Sequence, residues 1–203
     1  MDYIRKLFAG ETLLQKSIRE QTANNISIHP EEGKLLQLLI RLGHVKKIVE
    51  IGTFAGYSTL WMANALPPDG HLWTIEKDTE RAARARKNLQ DQENITLLEG
   101  DALSILPDLE KHGPFDMVFI DADKIHYTDY LDWTEIHVRK DGVIVGDNTF
   151  LFDAVWKEGD INRVRDTARQ SMRAFNLRLA DPKKYTSILL PTEEGLTIAV
   201  KNF

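Results

Sequence analysis

The sequence contains no cysteine. This excludes disulfides, thiolate metal sites and a cysteine nucleophile, and it fits a cytoplasmic protein. No apolar run approaches the ~18 residues that a membrane span needs. The opening Met1-Asp2-Tyr3-Ile4-Arg5-Lys6 carries an early acid and leads into no long apolar stretch, so no signal peptide is expected. Internal repeats, low-complexity tracts and Pro/Gly/Ser-rich linkers are absent too. Neither sign of charge dominates. Lys and Arg total 26 against 31 Asp and Glu, a net −5, which disfavours general electrostatic binding to nucleic acid but leaves a local basic patch open. What remains is a 203-residue chain, 42% apolar and 28% charged, rich enough in apolar residues for one globular domain and too rich for a wholly disordered chain.

From about residue 45 the chain alternates β-type runs with helix-type stretches. Lys47–Gly52, His71–Glu76, Asn94–Leu98, Phe115–Asp121 and Gly142–Asp147 are mostly apolar, as strands buried on both faces of a parallel sheet would be. Helices are expected over 57–66, 78–91 (with Asp78 as N-cap), 126–139 and 160–174. Thr186–Leu190 and Gly195–Lys201, separated by Pro191-Thr192-Glu193-Glu194, read as a hairpin, so one late strand runs antiparallel. Residues 1–43 look purely helical. Pro30-Glu31-Glu32 makes a good first turn, and Leu35, Leu36, Leu38, Leu39 and Leu42 form an apolar stripe. The expected fold is α/β: a Rossmann-like, doubly wound, seven-stranded and mostly parallel sheet with an antiparallel C-terminal hairpin strand and N-terminal helices.

In such sheets ligands bind beyond the carboxyl ends of the strands. The first strand ends in Glu50-Ile51-Gly52-Thr53-Phe54-Ala55-Gly56-Tyr57-Ser58. Its G-x-x-x-G spacing is neither the dinucleotide G-x-G-x-x-G nor a P-loop, though two glycines let the turn pass close to a ligand. The second strand ends in Glu76, where a carboxylate can accept both hydroxyls of a ribose; the bland alternative is an acid at a helix start. Glu99-Gly100-Asp101-Ala102 is a turn that could frame the far end of a nucleoside. The fourth strand ends in Asp121-Ala122-Asp123-Lys124 and the fifth in Asp147-Asn148. Two carboxylates and an amide oxygen are hard ligands suited to Mg²⁺, Mn²⁺ or Ca²⁺. The same two aspartates could instead cap the helices that follow.

Taken together and in this order, the Glu50–Ser58 run, Asp121-Ala122-Asp123-Lys124 with Tyr127, and Asp147-Asn148 resemble the cation-dependent class I O-methyltransferases. This group contains the caffeoyl-CoA and catechol O-methyltransferases. The resemblance covers roughly residues 20–203 and extends to the tail, Asp181-Pro182, Leu190-Pro191 and Gly195-Leu196-Thr197. It implies one methyltransferase domain over 1–203, with a helical segment 1–43 ahead of an α/β core 44–203. It also implies S-adenosylmethionine as cofactor. Glu50, Gly52 and Ser58, in a turn that includes Thr53 and Phe54, would hold its methionine part; Glu76 would take the ribose, and Ala102 would lie beside the adenine. Asp123 would lie beside the cofactor, and Ile26 and Ile28 would sit in a segment that closes over it. Asp121, Asp147 and Asn148 would bind the divalent cation, Asp121 also lying near the methionine end and sharing the catalytic centre with Lys124, the general base. Relatives form homodimers, so a dimer is expected; Ile4, Leu7, Phe8, Leu13, Leu14 and Ile18 offer an apolar helical arm that could pack on the sheet domain or on a partner subunit.

Two departures from the family pattern matter. His126 stands where many relatives have Asn, either as a surface substitution or as an acceptor contact. Thr149-Phe150-Leu151-Phe152-Asp153-Ala154-Val155-Trp156 replaces a stretch that shapes the acceptor mouth in the family.

The expected chemistry is in-line transfer of a methyl group to an acceptor oxygen. A phenol, with a pKa of about 10 by analogy with tyrosine, is mostly neutral at pH 7. A chelated cation would acidify it and Lys124 would remove its proton. The bland reading of Lys124 is an exposed salt bridge with Asp129 or Glu135. The expected partner is therefore a small hydroxylated aromatic acceptor and not a membrane. A hydroxylated tRNA base is the alternative acceptor, read by a patch drawn from Lys34, Arg41, Lys46 and Lys47, or Arg5 and Lys6. A non-catalytic cofactor-binding protein would not need Asp121, Lys124, Asp147 and Asn148, and a nicotinamide-dependent oxidoreductase would need the third glycine.

Overall fold

A computed structural model of the chain describes residues 2–22, 27–157 and 164–203. The seven strands are β1 (Lys47–Ile51), β2 (His71–Glu76), β3 (Ile95–Glu99), β4 (Phe115–Ile120), β5 (Val138–Asp147), β6 (Tyr185–Leu190) and β7 (Leu196–Lys201). They form one sheet in the order β3-β2-β1-β4-β5-β7-β6. By compactness the chain divides into two units, Met1–Ile105 and Leu106–Phe203. Among the described residues no helix is long and apolar enough to cross a membrane.

In the first unit, β1 and β2 pair in parallel from Lys47↔His71 to Ile51↔Ile75, and β2 and β3 from Leu72↔Ile95 to Glu76↔Glu99. After their first residues β1 and β2 are buried throughout, which is why they read as continuous apolar runs, whereas edge strand β3 is partly exposed along its length. Four helices lead into or flank these strands: α1 (Asp2–Phe8), α2 (Leu13–Gln21), α3 (Pro30–Leu42) and α4 (Tyr57–Ala63). The N-terminal region is not purely helical. It breaks after Phe8 and restarts where Thr12 accepts the Gln15 N–H while Gln15 accepts the Thr12 N–H, a capping box. On α3, Pro30 opens the first turn and the Glu32 carboxylate accepts the His29 N–H at 2.7 Å. The buried face of α3 is Gly33, Leu36 and Ile40, while Leu38 and Leu42 face outward, so the leucine stripe is only partly core. Gly33 is needed for this packing, because a Cβ there would lie 2.5 Å from the Trp61 ring of α4. The helix α5 (Thr79–Asn88) begins at Asp78, whose carboxylate accepts the Arg81 N–H at 2.9 Å, as expected of an N-cap.

No helix is expected between β3 and β4, yet α6 (Ala102–Leu109) lies there. Pro107 within it signals a break, since proline removes a helical donor. The helix is short enough to tolerate that loss, and the Asp101 carboxylate caps its start by accepting the Leu103 N–H at 3.1 Å.

In the second unit, β4 and β5 are parallel, β5 and β7 antiparallel, and β7 and β6 form the expected hairpin. The helix α7 (Tyr127–His137) ends two residues earlier than expected and β5 starts four residues earlier. Between Phe115↔Val138 and Met117↔Val143 the register shifts, with Asp141 at φ +59°, so the start of the strand is an irregular, partly exposed stretch that reads as loop. The Lys201 ammonium fixes the junction by donating to the Glu135 and Val138 carbonyls at 2.6 and 2.8 Å. The last helix, α8 (Asp166–Leu179), runs five residues beyond the expected end; the start expected for it at 160 falls outside the described residues. Its Phe175 is fully buried against Gly146 of β5, where a Cβ would lie 2.7 Å from the ring.

A charged cluster links the arm ahead of α3 to the start of α4. Glu11 accepts Arg19 through both carboxylate oxygens at 2.8 Å, and the Tyr57 hydroxyl at 2.7 Å. Burial opposes ionisation of Glu11, but these hydrogen bonds and the Arg19 charge outweigh it and hold the carboxyl below its ordinary value of about 4.5. A lowered acid pKa contributes stability above the ordinary value and loses it as pH falls through the folded value. Glu11→Gln should therefore be less stable than the parent by about 1 kcal/mol near neutral pH. Urea melts across the acid range should show that gap closing as pH falls below the ordinary carboxylate range; a gap independent of pH would contradict the assignment.

Candidate functional site

One group of candidate residues lies in the turn after β1. Gly52, Phe54 and Gly56 take φ values of +105°, +51° and +86°, so the chain reverses within a few residues before α4 begins. Glu50, fully buried on β1, organises this turn. Its carboxylate accepts Ser58 Oγ at 2.5 Å, Thr59 Oγ1 at 2.6 Å and Thr74 Oγ1 at 2.6 Å. Since Thr74 spends its proton on Glu50, the 2.5 Å contact between Thr53 and Thr74 must be donated by Thr53. These three hydroxyls give the buried carboxylate donors from α4 and β2 alike.

Glu76, also buried, ends β2 and accepts the Phe54 N–H at 2.7 Å through Oε2 and the Asp78 N–H at 2.9 Å through Oε1. Each oxygen has two lone pairs, so both can still accept a ribose hydroxyl. Gly100, at φ +144°, donates its N–H to the Glu76 carbonyl at 2.8 Å, which brings the buried Ala102 at the start of α6 near the end of β2. The structure thus gathers Glu50, Gly52, Thr53, Phe54, Ser58, Glu76 and Ala102 around the ends of two strands. Ile28 is buried just ahead of α3, and Ile26 lies outside the described residues. Sequence reasoning missed Thr59 and Thr74. Thr74 carried a signal, as a polar residue within an otherwise apolar strand.

A second group lies in the other unit, at the ends of β4 and β5. Lys124 donates to Asp121 Oδ1 at 2.9 Å and to the Tyr127 hydroxyl at 2.7 Å. The partners named in the bland reading are engaged elsewhere: Asp129 by His126 at 2.7 Å, and Glu135 by Arg178 at 2.7 Å and Tyr185 at 2.5 Å. Nor do Asp121 and Asp147 act as helix caps. That role falls to Asp123, which accepts the Ile125 N–H at 3.2 Å in the turn leading to α7. Asp147 is buried and one of its oxygens accepts the Asn148 N–H at 2.7 Å. Asn148 sits at φ +54°, a left-handed conformation that asparagine tolerates better than most residues.

The Tyr127 hydroxyl is held un-ionised, first by its burial and then by the negative charges of Asp121 and Asp147, so both carboxylates act on this one phenol. Among the described residues no three acids and histidines gather as a metal cluster; the set proposed from the sequence has two acids and completes itself with Asn148. Its chemistry of two carboxylates and an amide fits a hard divalent cation.

Beyond Asn148 the chain folds onto the hairpin. Thr149 N–H and Phe150 N–H donate to the Gly195 and Glu194 carbonyls at 2.9 Å, and the Phe150 ring fills the space a side chain at Gly195 would need. Leu151, Phe152 and Asp153 then take three successive left-handed conformations. Phe150 is therefore a packing residue, stacked edge-on with Trp156 at 4.7 Å, while Phe152 and Trp156 are exposed. His126, paired with Asp129 on the first turn of α7, fits the surface role.

Residues 8–202 match the family described as O-methyltransferase. The chain is 44% identical over 169 residues to the catechol O-methyltransferase of Niastella koreensis, covering 80% of this chain and 74% of that one. It is 32% identical over 210 residues to the caffeoyl-CoA O-methyltransferase of Populus kitakamiensis, covering 97% and 89% of the two chains. Among solved structures it is similar to the O-methyltransferase TomG of Streptomyces achromogenes in complex with SAM, with a TM-score of 0.87, 35% identity and coverage of 100% and 95%. By this match over nearly its whole length, the chain belongs to the O-methyltransferase family.

Proposed function

We propose that the chain, acting as one methyltransferase domain over residues 1–203 in the cytoplasm, transfers a methyl group from S-adenosylmethionine to a hydroxyl of a catechol-like or phenylpropanoid-like small molecule. The observation that carries this reading is the cluster at the ends of β4 and β5, where Lys124, Asp121 and Tyr127 are joined by hydrogen bonds and the Tyr127 hydroxyl reaches the Asp147 carbonyl. A binding protein without catalysis has no use for it. The relatives named for catechol and caffeoyl-CoA support the acceptor class. The basic residues invoked for tRNA are partly committed elsewhere: Arg5 pairs with Glu31 at 2.9 Å and Lys46 with Asp69 at 2.5 Å.

In this reading Glu50, Gly52, Thr53, Phe54 and Ser58 hold the methionine part of the donor, Glu76 its ribose hydroxyls, and Ala102, Asp123, Ile26 and Ile28 line it. Asp121, Asp147 and Asn148 hold the cation. Bound there, the donor supplies an electrophilic methyl group and Mg²⁺, Mn²⁺ or Ca²⁺ supplies Lewis acidity to an acceptor hydroxyl. Lys124, once neutral, takes the hydroxyl proton at Nζ. Holding the acceptor in line is the residues' larger task, because alignment contributes several of the ~7–11 kcal/mol available to ideal orientation.

Labelled-methyl transfer to a catechol should cease on chelation and return with Mg²⁺ or Mn²⁺. Asp147→Ala should behave like the chelated protein while still binding S-adenosylmethionine. Full transfer by an extensively chelated preparation would contradict the cation's role.

We also propose a homodimer. Tyr3, Leu7, Phe8 and Leu13 on α1 and α2 are more than half exposed, an apolar face that a second copy would cover. Light scattering at micromolar concentration should report the mass of two chains, and a one-chain mass would rule the dimer out.

A further inference from the structure

We propose that Tyr127 is a positioning residue, whose hydroxyl ties the end of β4 to the end of β5 and holds Lys124 beside Asp121. The inference rests on the methyl-transfer reading above, which places Tyr127 in the cluster but assigns it no task.

The last paired residues of β4 and β5 are Ile120 and Gly146. One step further lie Asp121 and Asp147, the two carboxylates proposed to hold the cation. Beyond Gly146, β5 still has β7 beside it, through Asp147↔Leu196, but the β4 end has no further rung with β5. The Tyr127 hydroxyl spans this gap, lying 2.9 Å from the Ile120 carbonyl and 2.7 Å from the Asp147 carbonyl. It has one proton, shared between these two acceptors, and a lone pair that accepts Lys124 Nζ at 2.7 Å. Every direction of the hydroxyl is therefore engaged with the backbone that carries Asp121 and Asp147 or with Lys124.

The ring cannot drift. Tyr127 is fully buried, edge-on to Phe175 at 5.1 Å and to Tyr130 at 6.4 Å, and the Lys124 ammonium lies 4.7 Å from the ring centre. Packing alone would be served by phenylalanine. The hydroxyl adds a cross-tie at the one place where the two strand ends lack a rung, with Lys124 on the same oxygen. Groups that orient ligands in this way commonly change metal affinity or activity by about 10–100-fold when removed.

The test compares the parent, Tyr127→Phe and Phe175→Leu, the last disturbing the same ring packing while leaving the hydroxyl. Three measurements apply to each: Mn²⁺ affinity by paramagnetic resonance, steady-state methyl transfer to a catechol, and hydrogen exchange of peptides covering residues 119–126 and 144–150. For Tyr127→Phe we expect faster exchange in both peptides, about tenfold weaker Mn²⁺ binding, and kcat lowered about tenfold with KM for S-adenosylmethionine within about twofold of the parent. Phe175→Leu should melt at a lower temperature with Mn²⁺ affinity and kcat near the parent's. The proposal is overturned if Tyr127→Phe matches the parent in exchange and Mn²⁺ affinity, or if Phe175→Leu loses as much kcat as Tyr127→Phe. A parent that binds Mn²⁺ but transfers no methyl group overturns the functional reading, and with it the catalytic part of this one; the exchange data then judge the cross-tie by itself.

Discussion

A buried carboxylate must be given donors or it will not remain charged, and the first unit is arranged around that requirement at Glu50. Ser58 and Thr59 come from the first turn of α4 and Thr74 from the middle of β2. Supplying those hydroxyls sets where α4 begins, how the strand-to-helix turn closes and how β2 registers beside β1. The left-handed residues of the turn and the Gly33 contact with Trp61 are consequences at close range: α4 must lie against the sheet end for its hydroxyls to reach, and α3 must then approach α4 without a side chain in between. Removing one donor would leave Glu50 under-supplied at a cost of about 1–3 kcal/mol, so the turn is held by the charge it surrounds.

The second unit solves a related problem with a neutral group. Its carboxylates, Asp121 and Asp147, sit at strand ends, and one phenol reaches the backbone of both strands. Burial keeps that phenol protonated, which is the state in which it can donate to a carbonyl. The two groups thus differ in physical character. The glycine turn lies between two buried carboxylates, Glu50 and Glu76, acceptors suited to a ligand that presents hydroxyls and an ammonium. The aspartate pair is a set of acceptors with a lysine beside it, suited to a cation and an acidic hydroxyl.

Much of this was legible in the sequence, for identifiable reasons. Strands buried on both faces announce themselves as apolar runs, and Pro191 to Glu194 between two such runs dictates a hairpin. The strand-end motifs stood out because their polar residues interrupt those runs. What escaped was set by tertiary contact or by competing local signals. The helix at Ala102 was hidden by Pro107, and the irregular start of β5 by Arg139, Lys140 and Asp141, which read as loop. The leucines of α3 exceed what one face can bury, so composition could not tell Leu36 from Leu38. The partners of Lys124 and the Glu11 link to Tyr57 join residues on separate elements, and no spacing rule connects Glu11 to a hydroxyl 46 positions away. Tyr127 was visible in the motif, but its role depends on where the strand ladder stops, which only the pairing register reveals.

The central claim is that the turn after β1, with Glu76 beside it, is a nucleoside site for S-adenosylmethionine. Calorimetric titration tests it most directly. The parent should bind S-adenosylmethionine one to one and give no heat with NAD, and Glu76→Ala should bind it more than about tenfold more weakly, because two charge-assisted hydrogen bonds to the ribose are lost. Equal affinity of parent and variant, or a parent that binds NAD instead, would contradict the account.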